Sequence, residues 1–136
     1  MNRPNLIHKI ARGILFFFFS ASILFHISVL SGLVPYSIVW GGRVHDPESM
    51  VLLETLSLVL NSIFLIILLG EANLIRLPIP MVGIRGLLWI MVLIFSLNTV
   101  GNIYSENVTE QIVFTPVTII IALCCLVLAS GKRHTV

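Results

Sequence analysis

Four long apolar runs, at about residues 13–34, 50–70, 82–103 and 111–130, constrain this chain more than any other feature of it. Each is long enough to supply the roughly 20 helical residues that cross a hydrocarbon core. A helix satisfies its backbone amides within the segment, which a solvent without hydrogen bonds demands. With 57% of its 136 residues apolar, 10% charged and a mean hydropathy of +1.06, the chain lies outside the range of water-soluble domains. The connections between runs are short. The expectation is therefore a single all-α domain over residues 1–136, an integral membrane four-helix bundle.

Arg3, Lys9 and Arg12 precede the run GILFFFFSASILFHISVL in the manner of a signal peptide. That run is longer than a typical signal core and three more follow it, so it reads as an uncleaved first span. Arg76 and Arg85 flank the connection between spans two and three, and Lys132 and Arg133 follow span four. Seven of the eight Lys and Arg residues thus fall on one side of an even-numbered bundle. The positive-inside rule makes that side cytoplasmic and puts both termini there. A multi-pass protein of a cell membrane, bacterial inner membrane by expectation, follows. The net charge of +2 is then topological; no basic run alternates with aromatics, and no nucleic-acid partner is expected.

Punctuation along the chain fixes the expected ends. Pro35 should stop span one, because the residue before a proline is pushed out of the helical region. Gly41-Gly42 is compatible with a tight hairpin or an irregular re-entrant loop. Asp46-Pro47-Glu48 has the chemistry of a helix start, and Gly70 that of a helix end. Asn107 and Glu110 have capping-box spacing before span four, and Pro116 should bend that span. Asn107-Val108-Thr109 also fits a glycosylation sequon. The neighbouring thiols Cys124 and Cys125 cannot bridge each other without strain and read as packed or lipid-facing. Trp89 should face lipid or a neighbouring helix.

Each span carries one polar stripe: Ser22 and His26; Glu54, Ser57 and Asn61; Asn98 and Asn102; Gln111, Thr115 and Thr118. Spacings of three, four and seven residues hold each set to one helix face. With the orientation above, all four stripes fall in the outer half, while the inner half reads FFFF, LIILL, LLWIM and ALCCLVL. Unpaired polar groups in hydrocarbon are costly and should face each other or a watered cavity. The candidate ligand-binding set is thus His26, Glu54, Asn61, Asn98, Asn102, Thr115 and Thr118, with Trp40 and Arg43 of the first outer connection as a lid. In that lid Arg43 would meet Glu54 or an anionic ligand group. Arg43 is equally able to pair with Asp46, Glu48 or a lipid phosphate, and Trp40 to belong to an aromatic belt. His26 reads first as a helix-to-helix hydrogen-bond donor. No metal-ligand set, cofactor motif or redox pair is evident.

The stretches VPYSIVWGGRV, Glu54 with Asn61, LNTVGN and FTPVT are similar to those of small bacterial four-span integral membrane proteins of unassigned function. The resemblance covers about residues 30–120 and implies a shape and a source. Small multidrug transporters share the size, but their essential Glu lies in the first span. Quinone-linked disulfide-forming proteins need an outward Cys-x-x-Cys, which Cys124-Cys125 is not. Sterol-isomerase-like bundles use buried acids, Asn and Trp, which Glu54, Asn98 and Trp40 echo by type alone. Three function classes follow. A binding protein or accessory factor would hold an amphipathic ligand or lipid headgroup in the outer half. A small transporter or channel, homo-oligomeric, would use Glu54 as its titrating group. A membrane enzyme would use Glu54 and His26 as acid and base. Binding leads because the inner half offers no polar path, and enzyme comes last because no nucleophile is evident.

Overall fold

Apolar segments of this length satisfy their backbones as helices, and the helix ends are then set by whatever caps the last free amides and carbonyls. A computed structural model describes residues 6–35, 39 and 46–131. The described residues are all-α, with no strand. Helices α1 (Leu6–Leu30), α2 (Pro47–Glu71) and α3 (Met81–Ile103) are followed by a π-helical turn, Glu110–Phe114, that runs directly into α4 (Thr115–Ser130). Four segments, α1, α2, α3 and Glu110–Ser130, are long and apolar enough to cross a membrane.

Several helix ends depart from the sequence expectation. α1 stops at Leu30, ahead of Pro35, because Gly32 takes the left-handed region (φ 79°) and its N–H returns to Val29 O at 3.0 Å. A glycine enters that region without a Cβ penalty. α2 runs one residue past Gly70, and its left-handed cap is Asn73 (φ 57°). The N–H of Leu74 bonds Leu69 O at 2.9 Å and that of Asn73 bonds Gly70 O at 3.0 Å, the two bonds of a Schellman motif. Gly70 has a different use. A Cβ there would land on the side chain of Leu77, so the chain leaving α2 folds back against a bare backbone. At the start of α2 the cap is as expected, with Ser49 N–H donating to Asp46 Oδ1 at 2.7 Å. The Gly41-Gly42 turn lies outside the described residues.

The chain divides into two compact units, residues 17–66 and residues 1–16 with 67–136. In the unit of residues 17–66, α1 and α2 meet antiparallel through side chains at three levels. Phe19 and Phe64 pack with ring centroids 5.5 Å apart. His26 meets Glu54. Val29 and Met50 then pack with Val39 of the connection, and Val34 covers that cluster.

The other unit is organised on the α3–α4 hairpin, the closest helix pair by backbone approach. Ile84, Leu88, Met91 and Phe95, spaced four, three and four apart, form the buried stripe of α3. α4 buries Thr118, Ile121, Cys124, Cys125, Leu128 and Ala129. For helices that cross a membrane such small residues matter, because lipid provides no hydrophobic drive between helices and close van der Waals approach has to substitute for it. Cys124 and Cys125 are free thiols and both are buried, which selects the packed reading; Trp89 is half exposed.

Candidate functional site

Glu54 lies two turns into α2 and is 1% exposed, the most deeply buried of the buried polar side chains. Its partner comes from α1: His26 Nδ1 is 2.7 Å from Glu54 Oε2. Both belong to the unit of residues 17–66. His26 keeps 13% of its side chain accessible, and the ring of Phe25 stands edge-on to it at 5.7 Å. The bond to Glu54 orients the imidazole and leaves Nε2, across the ring, as the nitrogen not used for the carboxylate. His26 thus makes the helix-to-helix hydrogen bond expected of it. Three residues on from His26 and four before Glu54, about 4.5 and 6 Å along the helix axes, the Val29–Val39–Met50 cluster closes over the pair. In the opposite direction the next described layer is Phe19 on Phe64. An ionisable pair therefore sits between two apolar layers, with His26 the member nearer the surface.

The second polar set lies in the other unit, between α3 and α4. Thr99 Oγ1 is 2.9 Å from Thr118 Oγ1 and 2.8 Å from its own Phe95 O, and Asn102 Nδ2 donates to Thr118 Oγ1 at 3.4 Å. Thr99 was absent from the predicted stripes. The stripe drawn through Asn98 and Asn102 is offset from the buried face of α3, whose polar edge is Thr99 and Asn102. Asn98 is exposed. Among the other candidates, Asn61 turns back on its own helix, its Nδ2 donating to Ser57 O at 2.8 Å. The Thr115 hydroxyl reaches Glu110 O at 3.5 Å, also within its own segment. Trp40 and Arg43, and with them the lid, lie outside the described residues.

The connection between α3 and α4 is a local network. Asn107 Oδ1 accepts from Thr109 N–H at 2.9 Å and Glu110 N–H at 3.3 Å, the cap its spacing predicts. The return half of the capping box is rerouted. Asn107 N–H donates to Ser105 Oγ at 3.1 Å, and that hydroxyl donates in turn to Glu110 Oε2. Gln111 Nε2 adds a bond to Ser105 O at 2.6 Å. The Asn of the sequon is thereby engaged as a helix cap. Pro116 has no N–H to offer Ile112 O, and the turn before it widens to a π-helix, Thr115 N–H donating to Glu110 O.

A charged contact that sequence reasoning missed joins α1 and α2 within the unit holding the hairpin. Arg12 Nε is 2.8 Å from Glu71 Oε2 and Arg12 Nη2 is 3.0 Å from Glu71 Oε1, a bidentate fork. The signal was an acid closing an otherwise apolar run, LIILLGE, at the end of the chain's second span. Among the described residues no three His, Cys, Asp or Glu side chains gather as a metal-binding group. At Asp46, at the start of α2, the Ser49 N–H, and then the Ser49 hydroxyl, hold the carboxyl below the usual aspartate value.

No protein family, curated protein or solved structure matches the chain.

Proposed function

We propose that the chain is a multi-pass membrane protein with both termini cytoplasmic, and that it holds the polar end of an amphipathic molecule or lipid at the His26–Glu54 pair in the outer half of the membrane. The observation that carries this reading is the burial of that pair inside two apolar spans. Ionisable side chains within spans are expensive and are by default functional candidates. A buried pair of ionisable side chains gives little or no stability over apolar residues of the same size, so stability is a poor reason for it. Glu54 sits behind His26, and a ligand arriving from the surface meets the imidazole edge first. The apolar layers on either side suit the tail of an amphiphile and oppose a continuous aqueous path, which favours binding over transport. The side on which the pair lies follows from the seven of eight basic residues at the opposite ends of the spans.

The test uses three probes with one twelve-carbon chain and different heads: ammonium, hydroxyl and carboxylate. Each is titrated into protein in lipid nanodiscs and followed by thermal unfolding. A ligand at 100 times its dissociation constant stabilises by about 2.7 kcal/mol. At least one head group should raise the unfolding temperature saturably, and Glu54→Gln and His26→Phe should each weaken that probe tenfold or more. Absence of saturation by every head group, or equal binding by both variants, refutes the site.

A further inference from the structure

Asn98 is an exposed carboxamide well inside α3. It lies five residues before Ile103, the end of the helix, and so about 7.5 Å inside it along the axis. Its side chain is exposed, whereas Asn102 one turn on is turned to Thr118. The carboxamide has two donor hydrogens and a carbonyl oxygen with two acceptor positions. Acyl chains satisfy none of them, and a 23-residue helix, about 34 Å long, centred on a hydrocarbon core of about 30 Å would hold this amide within the core. On the same side of α3, three residues further, Gly101 is also exposed, and a Cβ placed on it would touch nothing. The backbone beside the amide is bare.

We propose that the Asn98–Gly101 face of α3 is the contact between two copies of this chain. The partner is chosen by the chemistry of the amide. Across a two-fold axis, residue 98 faces its own twin, and each amide donates to the other's carbonyl, so one residue type satisfies both sides. Asparagine is short, and its amide reaches a twin only where two helix backbones come close. Gly101 permits that approach on the adjoining turn, as small residues do at helix contacts in lipid.

Full-length protein, singly labelled, is reconstituted into phospholipid vesicles over a range of protein-to-lipid ratios, and subunits are counted by single-molecule photobleaching. Wild type should pass from monomer to dimer as density rises. Asn98→Leu, which suits lipid and disturbs no hydrogen bond among the described residues, should move that midpoint at least tenfold higher in density. Asn98→Gln, which keeps the amide, should stay near wild type, and Gly101→Leu should weaken pairing. In a Cys124→Ala, Cys125→Ala background, Asn98→Cys should give a disulfide-linked dimer on mild oxidation. A wild type that stays monomeric at every density, or an Asn98→Leu midpoint equal to wild type, overturns the proposal.

Discussion

Arg12 and Glu71 show how much a single residue's setting changes what its charge does. In the sequence Arg12 is one of three basic residues that orient span one; in the fold its guanidinium is forked onto a carboxylate whose side chain is 9% exposed. Exposed pairs contribute about 0–1 kcal/mol, while breaking a buried one costs about 3–5. Arg12 retains 21% of its side-chain exposure, so the Glu71→Gln variant should lose about 1–3 kcal/mol in reversible unfolding in mixed micelles. Arg12→Gln with Glu71→Gln should cost less than the sum of the singles. Additive losses under about 0.5 kcal/mol each would show that the fork is ornamental to stability. The site was legible in part at this scale. His26 and Glu54 stood out because an ionisable side chain in an apolar run is conspicuous by type. Their pairing was not legible, because helical phase tells which residues share a face and not which helix that face meets. Thr99 was hidden for the same reason: it is one residue from Asn98, and only the position of α4 decides which of the two points inward.

At the scale of elements, the existence of four helices was readable and their ends were less so. Asp46-Pro47-Glu48 announced the start of α2 correctly, because a cap is made by residues adjacent in sequence. The ends of α1 and α2 were misplaced on Pro35 and Gly70. A left-handed cap has several local candidates, and the choice between Gly70 and Asn73 is made by where Leu77 returns to pack. Pro116 was read as a bend; the structure shows how its missing donor is absorbed, in one widened turn ahead of it. The α2 cap predicts a pH response whose sign follows from the Asp46 shift. Its folded carboxyl titrates below the unfolded value because Ser49 donates to the ionised form. The cap's contribution is therefore complete above the unfolded aspartate range, about pH 4, and fades as pH falls through the lower folded value. Amide exchange at Ser49 and Met50, followed by NMR, should accelerate on acidification after correction for intrinsic rates. In Asp46→Asn that acid step should vanish while the cap persists. An unchanged acid step in the variant would assign it to another group.

For the whole molecule, length and apolarity predicted the class of fold because the requirement comes from the solvent: a segment of some 20 apolar residues has few ways to satisfy its backbone in lipid. The distribution of Lys and Arg adds an expected direction, and in the proposed reading that direction sets the side of the membrane on which His26 and Glu54 would meet a ligand. The side on which the connections lie is thus the claim on which the functional reading depends. In a Cys124→Ala, Cys125→Ala background, single cysteines at Glu106, in the connection from α3 to α4, and at Ile79, in the connection from α2 to α3, both occupy exposed positions. Intact cells are treated with a membrane-impermeant maleimide, and permeabilised cells serve as the reference. Labelling of Glu106→Cys in intact cells, with Ile79→Cys labelled only after permeabilisation, is the predicted result; labelling of Ile79→Cys and not Glu106→Cys in intact cells would invert the topology and contradict it.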